Sequence, residues 1–181
     1  MKIVYILSML IAFLYGLLNP LEYNLSPVMS EIKQKYLETQ AKIRAQIEQD
    51  KYNKYSHWEK IIATSKKVAK EEEYPLSVLL AQAALESGHG TSYLCRTRNN
   101  CFGIGAVDWN PDLAYSYPTL EEGIRAYTRL IKKHYKSAYT LKDNPVAMVT
   151  EIKRLGYATD PLYISKVTNM KVFKDYVTTN L

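Results

Sequence analysis

Apolar positions change their spacing several times along the chain, and each change predicts an element. Behind Lys2, the run from Ile3 to Leu18 carries no charge. A run of that length sits at the short edge of a bilayer span and matches the apolar core of a signal peptide. No small-x-small cleavage site follows it; Asn19, Pro20, Leu21 and Glu22 do. Residues 1–20 therefore read as a signal anchor or a signal peptide, with Lys2 holding the start on the cytoplasmic side. A buried helix of the domain itself is the alternative. Residues 21–55 read as a linker and an amphipathic helix. After a polar, Pro-containing joint, Ile32, Tyr36, Ile43 and Ile47 recur among alternating charges from Met29 to about Lys54. The stripe is thin, which predicts loose packing or a stalk.

Residues 56–181 carry the patterns of one domain with a core. A helix is predicted from Ser56 to Lys70, with Trp58, Ile61, Ile62, Ser65 and Val68 on one side. Pro75 suits the first turn of the next helix, which runs through Leu79, Leu80 and Ala83 to Ser87 and stops at Gly88 and Gly90. Thr119 and Glu122 have capping-box spacing ahead of Leu120, Ile124, Tyr127 and Ile131. Asn144 and Pro145 open another helix with Val149 and Ile152 inward and Gly156 after it. Asp160 and Pro161 repeat the device before Ile164 and Val167. Between residues 91 and 118 no helical period appears, and the stretch is rich in Asn, Gly and Asp. It predicts a loop region with room for a small hairpin, and a long irregular insertion in a compact domain is usually functional. The class is mostly α, or α+β with a short irregular or hairpin insertion.

Charge narrows the partners only slightly. The formal net charge is +6, which suits a polyanion such as nucleic acid, an anionic membrane or an anionic wall polymer. Much of it follows Arg125, at Lys132, Lys133, Lys136, Lys153, Arg154, Lys166, Lys171 and Lys174, and a solvated helix surface accounts for it equally. No nucleic-acid reading motif accompanies it. The 16 Tyr against 3 Phe fit a polar-ligand groove or any wet surface. Cys95 and Cys101 are the only cysteines. Two thiols at this spacing make no zinc site by themselves. They form either a short disulfide loop in an oxidising compartment or two buried thiols.

Glu86 is the residue that periodicity singles out. It lies seven residues after Leu79 and three after Ala83, on the stripe of core residues near the helix end. A carboxyl in an apolar setting has its pKa raised and stays protonated nearer neutral pH. A general acid acting on a glycosidic oxygen needs that property. Pairing with a lysine at the helix end is the plainer alternative. Gln82, one turn earlier, lines a polar cleft or faces water.

The segment AQAALESGHGTSYLCRTRNNCFGIG, Ala81 to Gly105, resembles the core signature of the bacterial glucosaminidase family, a branch of the lysozyme-like superfamily. The shared elements are Gln-x-x-x-Glu-Ser-Gly, a Thr-Ser turn and Asn-Asn-x-Phe-Gly-Ile. YATDPLYISKV, Tyr157 to Val167, resembles the family's closing motif. The resemblance covers roughly residues 57 to 173. It implies a lysozyme-like α+β domain that cuts peptidoglycan glycan strands after N-acetylglucosamine, without a cofactor or a metal. By the same resemblance Glu86 is the catalytic acid. Tyr157 lies near the reacting sugar, Phe102 and Gly103 shape the cleft floor, Tyr163 is a packing or cleft-wall residue, and Asn99 and Asn100 fix the loop or meet the sugar.

Two departures from the family pattern matter. His89 stands where relatives often have tryptophan, at the cleft edge. The insertion is short, where many relatives place a second carboxylate on a longer hairpin. Asp108 is the choice here for that carboxylate, ahead of Asp112, Glu121 and Glu122. With a partner carboxylate beyond about 6.5 Å and room for water, inversion follows. Without one, the substrate's acetamido group assists, or an intramolecular hydroxyl attacks and the enzyme is a lytic transglycosylase. A wall-binding module without chemistry is the remaining alternative. The expected location is the cell envelope, anchored in the membrane and facing the periplasm or exterior, or else secreted or carried on a phage particle.

Overall fold

A computed structural model describes residues 9–10, 26–107, 110 and 113–178. The chain divides into two compact units, 1–51 and 52–181. Apart from Met9 and Leu10, the apolar N-terminal run lies outside the described residues. Among the described residues no helix is long and apolar enough to cross a membrane.

The first helix, α1, spans Ser26–Glu71 without a break. The sequence pattern predicts two helices meeting near residue 55. No Gly or Pro lies between Val28 and Tyr74, so nothing there removes a hydrogen bond or favours an uncoiled backbone. In the first unit, Ile32, Leu37, Ile43 and Ile47 stay exposed, as the thin stripe suggests. In the second unit the helix turns apolar, and Ile61, Ser65, Val68 and Ala69 are buried.

Helix α2, Leu76–Ser87, is the centre of the second unit, with every residue from Leu76 to Ala84 buried. Pro75 sits just outside it as the cap, and Gly88 closes it at φ 56°, donating its N–H to the Ala84 carbonyl. Around α2 pack α6 (Pro145–Arg154), α7 (Tyr163–Thr168) and α8 (Lys171–Tyr176). The short α3 (Tyr93–Arg98) starts at Ser92, whose hydroxyl accepts from the Cys95 N–H. Helix α4 (Leu120–His134) opens where Thr119 accepts from the Glu122 N–H at 3.2 Å. It leads through α5 (Lys136–Tyr139) to α6, where Asn144 accepts from the Ala147 N–H at 3.1 Å.

The expected α+β character is overturned. Among the described residues there is no strand, only an isolated bridge between Val107 and Asn110, so the domain is mostly helical and is not a lysozyme-like α+β fold. The reason lies in what satisfies the loop backbone. Asn100 is buried, accepts from the Ile104 N–H at 2.9 Å, and donates to the carbonyls of Ile104 and Tyr115. Asn99 donates to the Tyr117 carbonyl and Arg98 to that of Ala114. Side-chain amides and a guanidinium take the places that a ladder would fill.

Gly123 lets α4 pass directly over this loop. A Cβ there would collide with the Asn99 carbonyl oxygen, and the Tyr117 ring lies 3.2 Å from the same point. Gly123→Ala is expected to lower stability by about 1–3 kcal/mol, the usual cost of overpacking. The helix propensity gained is smaller than this. Urea unfolding of the variant against the parent measures it, and an unchanged midpoint would contradict the close approach.

An ion-pair network ties the end of α1 to α4. Arg125 pairs with Glu71, Glu72 and Glu121, and Lys132 with Glu72 at 2.8 Å. The Lys132 ammonium, and after it the Arg125 guanidinium, hold the Glu72 carboxyl below its ordinary 4.5. A carboxyl depressed on folding contributes stability that is present above the unfolded value and lost as pH falls through the folded one. Stability should therefore fall as pH drops below about 4.5, and Glu72→Gln should flatten that part of the stability–pH curve.

Candidate functional site

The far end of α2 carries Glu86 to the wall of an open groove of about 770 Å³. Four segments build it. Leu85 and Glu86 come from α2, Phe102 to Ala106 from the loop after α3, Tyr127 and Leu130 from α4, and Tyr157, Asp160, Tyr163 and Lys166 from the segment entering and forming α7. Tyr135 completes the lining beside Tyr157, with ring centroids 5.7 Å apart. A second concavity of about 310 Å³, beside Lys70, Glu73, Lys142 and Tyr176, holds none of the residues singled out in the sequence.

Glu86 does not face the core. Leu79 and Ala83 are fully buried, whereas Glu86 is exposed, between the half-buried Leu85 and the buried Ser87. Its carboxyl is nonetheless hemmed in by the groove walls, and this desolvation raises its pKa above the ordinary carboxylate value. No ion pair with a lysine or arginine is formed by it among the described residues.

The groove's aromatic side is a packed set of rings. Phe102 stacks on Tyr127 at 3.9 Å and nearly parallel. Tyr157 meets Tyr127 edge-on at 6.2 Å and lies 5.9 Å from Tyr163. Burial pushes the Tyr157 and Tyr163 hydroxyls up, and the nearby Glu86 charge adds to this in both. Their protons therefore stay in place across the neutral range, as hydrogen-bond donors rather than phenolates. Beneath them Gln82, wholly buried, donates to the Tyr163 hydroxyl at 2.8 Å and accepts from the Tyr127 hydroxyl.

Cys95 and Cys101 form a disulfide. It closes the turn that ends α3 and hands the chain to Phe102, so it fixes where the groove floor begins. Both sulfur-bearing residues are buried, with the His57 imidazole 3.8 Å from Cys95 Sγ.

Of the residues picked out in the sequence, Glu86, Phe102, Tyr157 and Tyr163 come together in the groove. Asn100 is not in its wall; its amide is used up in holding the loop. His89 follows the end of α2 at φ 58°, exposed, with its ring 5.1 Å from that of Trp58 and outside the groove. Asp108 and Asp112 lie outside the described residues. Glu121 pairs with Lys67 and Arg125 on another face.

Sequence reasoning missed Tyr127, Tyr135 and the Asp160–Lys166 pair as groove residues. Tyr127 shares the apolar stripe of Ile124 and Ile131, so its period marks it only as core. Asp160 does act at a helix entrance, accepting from the Leu162 N–H at 2.9 Å, but it also pairs with Lys166 at 2.6 Å on the groove's rim. Several basic residues of the C-terminal half are matched locally, Lys132 by Glu72, Arg154 by Glu151 and Lys171 by Asp175. Among the described residues no group of three His, Cys, Asp or Glu could hold a metal ion.

Comparison with known proteins gives this geometry a context. The family model described as mannosyl-glycoprotein endo-beta-N-acetylglucosaminidase matches residues 62–174. A protein of Streptococcus pneumoniae serotype 4, provisionally named endo-beta-N-acetylglucosaminidase, is 34% identical over 105 residues, covering 55% of this chain and 15% of that protein. The peptidoglycan hydrolase FlgJ of Vibrio cholerae is 33% identical over 120 residues, 52% of this chain and 36% of its own length. The chain thus spans well under half of either relative. The catalytic domain of the autolysin Auto from Listeria monocytogenes shares the fold with a TM-score of 0.54 at 22% identity, over 68% of this chain and 84% of that one.

Proposed function

We propose, from the premise that the chain belongs to the mannosyl-glycoprotein endo-beta-N-acetylglucosaminidase family, that it hydrolyses peptidoglycan glycan strands at N-acetylglucosamine with Glu86 as general acid. The observation that carries this reading is a carboxyl of raised pKa standing without a cationic partner in an aromatic-lined groove. Cleavage of a glycosidic bond needs a proton delivered to the leaving oxygen, and a carboxyl that keeps its proton to higher pH than a solvated glutamate is suited to deliver it. Tyr157, half-buried, can set a ring face and a hydroxyl against a sugar, and the buried rings of Phe102, Tyr127 and Tyr163 pack with it. The groove's other described carboxylate, Asp160, is held ionised by Lys166 and the Leu162 N–H. An ion-paired carboxylate is a weak base, and that sets Asp160 aside as the second carboxylate and leaves assistance by the substrate's own acetamido group as the alternative to Asp108. Asp108 keeps its place as the candidate second carboxylate from the sequence alone.

The relatives' names support a location in the cell envelope, and residues 1–20 are proposed as the signal or anchor that takes the domain there. The test is product analysis after digestion of purified peptidoglycan. New reducing ends on N-acetylglucosamine support the reading. Anhydro-muramic products would instead identify a lytic transglycosylase, and glycan binding without products would identify a binding module.

A further inference from the structure

One helical turn before Glu86, a fully buried amide occupies a position that leucine or methionine would fill without polar atoms to satisfy. Burying an amide is costly unless its atoms are partnered. Gln82 meets that demand with two residues of the groove wall. The Tyr127 hydroxyl, from α4, donates to Gln82 Oε1, and Gln82 Nε2 donates to the Tyr163 hydroxyl, from α7, at 2.8 Å. Tyr157 packs against both rings, 6.2 Å from Tyr127 and 5.9 Å from Tyr163.

These bonds have a direction. A phenol carries one proton. Tyr127 gives its proton to the amide oxygen, so the amide nitrogen is the atom left to face Tyr163. The Tyr163 oxygen then accepts from the interior side, and its own proton must turn elsewhere. Among the described residues no protein atom accepts that proton, and Tyr163, although only 2% exposed, is one of the residues that line the groove.

We propose that Gln82 is a positioning residue that, held by Tyr127, turns the Tyr163 hydroxyl proton into the groove as a donor to an oxygen of the bound sugar. The acceptor is a ring hydroxyl or the acetamido carbonyl, the oxygens that a glycan of N-acetylated sugars presents. The inference rests on the reading of the groove as a glycan site, but it does not need Glu86 to be the acid.

The full chain is assayed on soluble glycan strands released from peptidoglycan, as Gln82→Met, Tyr163→Phe and the double variant. Thermal melting confirms that each is folded at the assay temperature. Each single variant is expected to lose roughly tenfold in kcat/KM, the scale of one neutral hydrogen bond. The double variant should lose no more than Tyr163→Phe alone, because Gln82 acts only through that hydroxyl. Strand binding in a Glu86→Gln background should weaken by a similar factor. Wild-type kcat/KM in Tyr163→Phe, or losses that multiply in the double variant, would overturn the proposal. If Gln82→Met does not fold, Tyr163→Phe decides, since it lacks only the hydroxyl. Turnover retained by Glu86→Gln would remove the general acid and leave this proposal to its own cycle. Failure of the parent chain to bind strands would remove both.

Discussion

Glu86→Gln is expected to slow glycan cleavage by about 10²–10⁴-fold, the range for loss of a general acid, while the domain stays as stable or becomes more so at pH 7. The amide keeps the shape of the side chain and its place on the groove wall but has no proton of suitable acidity. The stability half follows from the sign of the shift. Desolvation raises the folded-state pKa of Glu86, so its contribution to stability is fully present below the unfolded value and is lost as pH rises through the folded one. Above its folded-state pKa the native side chain carries a charge in a partly desolvated place, and glutamine does not. Initial rates on purified peptidoglycan and melting temperatures at pH 7 measure the two halves. Lost activity together with a lower melting temperature would point to a structural role for Glu86. Retained activity would remove it from the chemistry.

Opening the disulfide is expected to have the second largest effect. Cys95 and Cys101 are separated by 6 positions, and constraining so short a loop in the unfolded chain stabilises the fold by about 2 kcal/mol in the chain-entropy account. Cys95→Ala with Cys101→Ala should lower stability by about that amount, plus a smaller term for the volume removed from a buried site. Activity should fall further than the unfolded fraction explains. Phe102 follows Cys101 directly, and its stack on Tyr127 sets the groove floor. Urea unfolding and kcat/KM on the same samples compare the two losses. A variant with reduced stability but wild-type kcat/KM would show that the turn holds Phe102 without the bond.

Local signals in the sequence were legible because their physics is local. Thr119 with Glu122, Asn144 with Pro145, and Gly88 mark helix ends by hydrogen bonds that span three or four residues, and the structure has those ends. The apolar positions Leu79, Ala83, Ile124, Val149 and Ile152 are buried as their period predicts. The predicted boundary near residue 55 had no such signal behind it, and the helix runs through. The loop between α3 and α4 was legible as irregular but not in its means of support. The carbonyls that Asn100 meets, on Ile104 and Tyr115, depend on how the chain turns back. Glu86 shares a period with core residues, but period cannot tell that a groove opens at one position of that stripe while Ser87 beside it stays buried. Tyr127 shows the converse, since a ring wholly buried in the core also backs the groove through its stack with Phe102. The closing motif placed Tyr157 and Tyr163 together, whereas the bond from Gln82 to Tyr163 joins residues 81 positions apart and leaves no mark in spacing.

The claim on which the chemistry depends is that the Glu86 carboxyl holds its proton at higher pH than a solvated glutamate. Carbon-13 NMR titration of side-chain carboxyls, with the Glu86 resonance assigned by its absence in Glu86→Gln, measures this directly. The predicted result is a Glu86 midpoint above 4.5 that coincides with the alkaline limb of kcat/KM. A midpoint at or below that value, or an alkaline limb unrelated to it, would contradict the account.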